Sequence, residues 1–501
     1  MRERSDYVIP FFNDKYRFDK PALIYWTQIA SYSVFGENDF AARFPSAVAA
    51  ALTAVLLCGW GRRAGGERVG WWAAIIFTLC LQVFIHAKAS VADMWLVFFV
   101  TAAHWAGYEL LADSLGRESP SSSGRRFATW RIIFYVALGL GFLAKGPLGW
   151  LPLLTVISTK LFLRGNSLTR RFWFVTGMLG AFAIVCTWGI PAVIRTNGDF
   201  FRVGIGRHVV ERSFNVMEGH GANSWNTYLA AMPFYFLTVF ISFFPWSIKL
   251  PGLTKRLWRQ RDATDNYLIS GLLIVFVIMS LVKTKLPHYT LPAFPLLALL
   301  LARHLFVLPG WLFSWRAAAR IAVVWLVVVF ALFPRLAPFS FGQLLIVAVF
   351  TLLLLPLARY FFGLPGSQFA PRAAFGAGIA ALAVAFIAFP LLAPTFPSAQ
   401  LYKLSRNDLR PEMDFANIDY AEPSVVWYFR SRCHGFFRGL NPDQLEQFMT
   451  FPGPRFAIVP TSVAQAYSAR IRPDWKTYRA TGFTIVHGRP TDLTMILKQS
   501  Q

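Results

Sequence analysis

Between Phe172 and Ile194 the chain runs without one charged residue, and a second such run extends from Ala374 to Pro394. Backbone in hydrocarbon must satisfy every N–H and C=O within its own segment, so such a run folds as a helix. Apolar runs lie near 41–60, 69–86, 91–111, 131–144, 148–163, 172–194, 227–250, 267–282, 289–306, 319–334, 340–357 and 373–396. A span needs about 20 mostly apolar residues, which makes these about twelve spans. The run at 131–144 is short and could fuse with its successor. The fold class expected is an α-helical polytopic membrane protein. Only 15% of the residues are charged, against roughly 25% in soluble domains.

The loops between the runs differ sharply in charge. One set carries Arg62, Arg63, Arg68; Arg117, Arg125, Arg126, Arg131; Lys160, Arg164, Arg170, Arg171; Lys255, Arg256, Arg259, Arg261; Arg303, Arg316, Arg320; and Arg359, Arg372. Loops rich in Lys and Arg stay in the cytoplasm. These look dispensable, and Ser119–Gly124 reads as a flexible linker. The bias also accounts for most of the net charge of +24, so the charge does not indicate nucleic acid. Cys58, Cys80 and Cys186 lie in apolar runs and Cys433 in the tail, with no metal-type spacing.

The opposite loops, 1–40, 87–90, 145–147, 195–226, 283–288 and 335–339, are therefore outside, with the tail. Three regions follow: an outer segment 1–40, a transmembrane domain 41–396, and a soluble domain 397–501 of ordinary composition. In that small α/β domain, Ser424–Phe429 and Arg455–Pro460 read as strands and Pro442–Met449 as a helix. An outside N-terminus needs something to carry it across, and Met1–Asp39 contains neither signal peptide nor span. This predicts a further helix upstream of Met1.

The outer loops hold cations where the orientation bias disfavours them. Lys20, Lys145, Arg212, Lys283 and Lys285 stand there, several at span ends. An anionic ligand such as a phosphate would reward them; snorkelling to lipid headgroups is the plainer alternative. Asp19-Lys20-Pro21 precedes an interfacial aromatic cluster, and its charges could equally be a surface ion pair. Lys145-Gly146-Pro147 reads as a tight turn. Lys283 to Tyr289 is the densest group, broken by Pro287 where backbone must face protein or a cavity. Asp93 at the start of a span is a candidate functional acid or an N-cap. In the long 195–226 loop, Arg207-His208, Glu211-Arg212, Glu218 and His220 could bind a metal or form an ordinary polar loop.

Phe12 to Trp26 (FNDKYRFDKPALIYW), followed by Val34 to Pro45, resembles the first outer loop of bacterial lipid-linked-sugar glycosyltransferases with the GT-C fold. These are the 4-amino-4-deoxy-L-arabinose transferases of lipid A and their protein-mannosyltransferase-like relatives. Leu143 to Pro147, Gly219-His220-Gly221, Phe244-Pro245-Trp246, Lys285 to Pro292 and Asp419 to Ser424 resemble the same family in the same order. The resemblance implies inverting sugar transfer from a polyprenyl-phosphate donor to a lipid A-like or other cell-envelope acceptor at the periplasmic face of the inner membrane. It implies that Lys20 and Tyr289 contact the lipid phosphate. Asp19 stands where the family often has Glu, and with His220 it could hold a divalent metal. Asp19 and Asp93 are the candidate catalytic acids. The family also carries an acidic motif, which would lie upstream of Arg2-Glu3. The alternatives are an inactive truncated homologue, or a transporter or flippase of lipid-linked sugars, which would tend to show internal repeats and charge at mid-membrane. The chain shows neither.

Overall fold

The computed structural model describes residues 1–115, 124–162, 172–204, 206, 228–229, 231–310, 323, 345, 349, 360–392, 395–420, 422–484 and 489–499. The expected spans 319–334 and 340–357 (but for 323, 345 and 349), the Ser119–Gly124 linker (but for Gly124), and Arg207, His208, Glu211, Arg212, Glu218 and His220 lie outside these residues. The chain divides into two compact units, Met1–Pro10 with Arg17–Gly378, and Phe11–Tyr16 with Ile379–Gln501.

Among the described residues six helical stretches are long and apolar enough to cross a membrane: Asp39–Gly65, Phe127–Thr159, Phe174–Arg195, Ala263–Leu281, Pro287–Val307 and Gly366–Leu392. Two bent pairs, Glu67–Thr78 with Leu81–Ala87 and Phe234–Ser242 with Trp246–Arg259, raise the number to eight if each is one span. The helix starts are locally encoded. Asn38 accepts a hydrogen bond from the Ala41 N–H at the head of Asp39–Gly65. Asp262 and Asp265 form a reciprocal capping box on Ala263–Leu281.

The stretch 127–159 is long and apolar enough to span, yet it is not one rod. A side chain at Gly107 would touch both Phe134 and Val156, which a straight helix would hold about 33 Å apart. The chain reverses at Lys145-Gly146-Pro147, where Gly146 has φ of +69°. A Cβ on Gly149 would lie 2.3 Å from the Gly141 carbonyl carbon, so glycine alone lets the turn segment Gly146–Trp150 pack onto the first arm. The expected tight turn is therefore present, and the two runs form a helical hairpin, Gly124–Lys145 and Leu151–Phe162.

The Asp93–Leu110 helix packs antiparallel to the first arm. Asp93 meets Lys145 at one end, and Trp105 meets Trp130 with ring centroids 5.2 Å apart further along. At the far end Arg63 pairs with the fully buried Glu109 at 3.1 Å. There Arg303 binds Asp262 and the buried Asp265, and His304 also reaches Asp265. Arg63 and Arg303 were expected to be dispensable loop cations. Instead they neutralise the buried acids Glu109 and Asp265, whose burial as unpaired charges would be costly.

The second unit holds a two-stranded ribbon of β1 (Phe11–Phe12) and β2 (Lys15–Tyr16), and a five-stranded sheet in the order β4 (Phe437–Gly439), β3 (Asp414–Asn417), β5 (Arg455–Pro460), β7 (Arg489–Lys498), β6 (Lys476–Thr484). β3 pairs parallel with β4 and β5, while β7 runs antiparallel to β5 and β6. One core layer forms around Leu401, Phe415, Phe429 and Phe456, and the other around Leu445, Ala457, Tyr467 and Trp475. The strand expected at Arg455–Pro460 and the helical segment at Pro442–Met449 are present. Ser424–Phe429 is not a strand. Pro423 starts a helix to Phe429, because proline at a first helical position outweighs the β preference of Val-Val-Trp-Tyr-Phe.

Candidate active site

One cavity of about 550 Å³ opens in the first unit at the end where Asp93 meets Lys145. Its walls differ in chemistry. One wall is the apolar face of Phe174–Arg195, with Phe182, Val185, Trp188, Ile190 and Val193. The other end collects Asp19, Lys20, Asp93, Lys145, His288 and Tyr289.

Each polar side chain arrives from a different element. Asp19 and Lys20 lie in the loop that leads into the Leu23–Phe35 helix. Phe18 anchors this loop edge-on against Phe200, which in turn packs on Trp188. Arg17 donates to both carboxylate oxygens of Asp19, at 2.8 and 3.2 Å. Burial pushes the Asp19 carboxyl up, but the Arg17 hydrogen bond and the charges of Arg17 and Lys20 outweigh it and leave it below its usual value.

Asp93 is the first residue of its helix, and its side chain makes no N-cap bond. It accepts instead from Lys145 Nζ at 2.5 Å, with both side chains about nine-tenths buried at 10% and 11% exposure. The hairpin apex therefore delivers the lysine to the start of the neighbouring helix. Lys145 Nζ also lies 5.5 Å from the centre of the Tyr289 ring, a cation–π distance. Tyr289 meets His288 edge-on, and His288 lies 5.1 Å from His86, ring centre to ring centre. His86 escaped the sequence reading because it sits inside an apolar run. The signal was a lone ring-nitrogen side chain within two residues of Lys88.

The remaining candidates fall elsewhere. Lys285 is buried away from the cavity lining, and its ammonium donates to the carbonyls of Met279 and Ser280 at the end of Ala263–Leu281. It lies over the rings of Tyr228 and Tyr235. Burial pushes its pKa down to about 8. Lys283 is half-buried and does not line the cavity. Among the described residues no three His, Cys, Asp or Glu side chains come together as metal ligands. Of the expected metal pair Asp19 and His220, only Asp19 is among the described residues, and its two oxygens accept from Arg17.

Residues 19–190 match the family model described as dolichyl-phosphate-mannose-protein mannosyltransferase. The chain is 30% identical over 314 residues to the undecaprenyl phosphate-alpha-4-amino-4-deoxy-L-arabinose arabinosyl transferase 2 of Sodalis glossinidius, covering 61% of this chain and 53% of that one. It is 28% identical over 320 residues to the corresponding transferase of Edwardsiella ictaluri, covering 62% and 54%. The chain thus spans about half the length of the curated relatives it matches. The crystal structure of ArnT from Cupriavidus metallidurans bound to undecaprenyl phosphate superposes with a TM-score of 0.71 at 18% identity, over 99% of this chain and 91% of that one. Its apo form gives 0.69 at 19% identity, over 99% and 90%. The resemblance read from the sequence is therefore borne out, and the chain has the GT-C fold of ArnT.

Proposed function

We propose that this chain is a membrane glycosyltransferase that moves a sugar from a polyprenyl phosphate to a cell-envelope acceptor at the periplasmic face of the bacterial inner membrane. A single observation carries the reading: one cavity joins a cluster of lysines, carboxylates and a tyrosine to a long apolar wall. A polyprenyl phosphate has that same division between an anionic head and an apolar tail. The named activity of the arabinosyl transferase relatives supports the donor class, and the lipid A-like acceptor comes from the family resemblance of the sequence motifs. The description of the family model names a protein as acceptor.

In this reading Lys20, Lys145 and Tyr289 hold the lipid phosphate, and the tail lies along Phe182 to Val193. The acceptor oxygen forms a bond to the anomeric carbon as the bond from that carbon to the phosphate oxygen breaks. The phosphate leaves with the electron pair, and cations fixed around it lower the barrier by stabilising the charge that develops. Asp19 and Asp93 are each paired with a cation, Arg17 and Lys145, and their carboxylate oxygens keep further lone pairs. They are therefore suited to accept a hydrogen bond, and finally a proton, from the acceptor rather than to donate one. Arg212, Lys283 and Lys285 have no assigned contact with substrate in this account.

The test is transfer by the full chain in lipid nanodiscs, given polyprenyl phosphates that carry labelled sugars, with and without lipid A. Sugar appearing on the acceptor, and its loss in Lys20→Ala, supports the reading. Binding of polyprenyl phosphate without any transfer would favour the transporter alternative. Absence of both would remove the proposal.

A further inference from the structure

The second unit carries a charge asymmetry that the transfer reaction does not use. Its sheet has one core layer on each face. On the face covered by the helices Pro397–Ser405 and Pro423–Phe429, the segments 397–413 and 422–438 hold Lys403, Arg406, Arg410, Arg430, Arg432 and Arg438. Arg438 is paired with Asp414 at 3.9 Å; the remaining acids are Asp408, Glu412 and Glu422, and two of these are already engaged. Asp408 is taken by Lys476, Tyr478 and Gln499, and the buried Glu422 accepts from Tyr420 and Ser424. On the opposite face the segment 441–474 balances Arg455, Arg470 and Arg472 against Asp443, Glu446 and Asp474.

The cations of the first face are brought together by the fold. Tyr402 stacks on Tyr428 at 5.6 Å, and its hydroxyl meets Ser431 at 3.1 Å. Arg432 and Arg406 both act on that hydroxyl. The His434 N–H donates to the Pro411 carbonyl at 2.8 Å, which lays 406–411 beside 430–434. Lys403, Arg406, Arg410 and Arg432 are exposed and form no ion pair among the described residues. Leu404, Trp427 and Phe436 lie exposed among them. Exposed aromatic and aliphatic side chains interleaved with cations suit a surface with charge outside and hydrocarbon just beneath. The chain also fixes the distance. Gly366–Leu392 is apolar enough to span a membrane, and Pro397–Ser405 begins within five residues of its end. Lys403 and Arg406 are therefore juxtamembrane by chain connection alone.

We propose that this face of the C-terminal domain docks on the anionic phospholipid headgroups of the leaflet from which the domain emerges, through Lys403, Arg406, Arg410 and Arg432, with Leu404 and Trp427 dipping below the phosphates. The proposal is independent of the transfer reaction. It gives the domain a lipid-dependent seat, set by leaflet charge. Each Lys or Arg near an anionic surface contributes about a fivefold factor in binding, and the attraction is screened by salt.

The experiment is amide hydrogen exchange on the full chain in nanodiscs of phosphatidylcholine alone or mixed with phosphatidylglycerol. Exchange across 402–410 and 428–438 should be several-fold slower in the anionic discs. High salt should reverse that difference, and Arg406→Glu with Arg432→Glu should abolish it. β5 and β7 should exchange equally in all cases, which shows that the domain remains folded. Should the double variant disturb β5 and β7, the milder pair Lys403→Gln with Arg410→Gln decides instead, and should at least halve the difference. Equal exchange in both lipids, or a slowing that survives the charge changes, would overturn the proposal. So would equal protection by inorganic phosphate in neutral discs, which would reveal an adventitious ion only.

Discussion

The pair Lys145–Asp93 offers the sharpest test of the proposed head site, because removing either partner has a different sign. Their side-chain atoms lie 2.5 Å apart and both are about nine-tenths buried. Lys145→Ala removes one charge-assisted hydrogen bond to the phosphate, about 1.5–3 kcal/mol. It also leaves Asp93 as a bare anion facing a bound phosphate. At roughly 5 Å and an effective dielectric near 20, that repulsion is about 3 kcal/mol. The sum is about 4–6 kcal/mol, or at least a thousandfold weaker binding. Adding Asp93→Asn removes the repulsion but not the lost bond, so the double variant should bind about a hundredfold better than Lys145→Ala alone. The assay is titration of each variant in nanodiscs with undecaprenyl phosphate, followed by native mass spectrometry, with cooperative thermal unfolding as the control for folding. Effects that add without coupling would refute the shared site, since neighbours with one common ligand must couple.

Three other expectations follow from single observations. Arg17→Met removes both hydrogen bonds that hold Asp19 ionised, so the acid limb of the transfer rate against pH should move to higher pH; an unchanged limb would mean Asp19 does not titrate in turnover. Lys285 is pushed down to about 8 by burial, so between there and a free-lysine value near 10.4 the unfolded chain holds the extra proton. The thermal midpoint should therefore rise with pH across that window, and Lys285→Met should flatten the rise while lowering the midpoint at pH 7 by removing the donor to two carbonyls. Gly149→Ala should sharply reduce folded yield, because its Cβ would meet backbone at 2.3 Å, whereas Gly180→Ala meets nothing within 4 Å and should be silent.

Much of the frame was legible because the membrane makes hydropathy and loop charge carry topology. The Lys145-Gly146-Pro147 turn stood out as a cation on the wrong face, and the reversal there is what brings Lys145 to Asp93. Their pairing could not be read, since 52 residues separate them and no local period links a loop to a distant helix start. Lys285 illustrates the opposite error. Its position in a dense polar group suggested a ligand contact, yet the broken backbone at the end of Ala263–Leu281 has carbonyls to satisfy, and the lysine satisfies them. Arg63 and Arg303 were hidden in the same way. The orientation bias accounts for an arginine near a span end without reference to the buried Glu109 or Asp265 that it neutralises. In the soluble tail, β-branched and aromatic residues suggested a strand where Pro423 begins a helix.

The central claim is that one cavity holds the phosphate at Lys20 and Lys145 and the lipid tail along Phe182 to Val193. The most direct measurement is crosslinking of the full chain in nanodiscs with a polyprenyl phosphate that carries a photoreactive group on its first isoprene units, with the site read by peptide mass spectrometry. The account predicts labels on peptides spanning 182–194, competed by unlabelled undecaprenyl phosphate and lost in Lys20→Ala with Lys145→Ala. Competed labelling confined to other helices, or labelling at 182–194 that persists without both lysines, would contradict it.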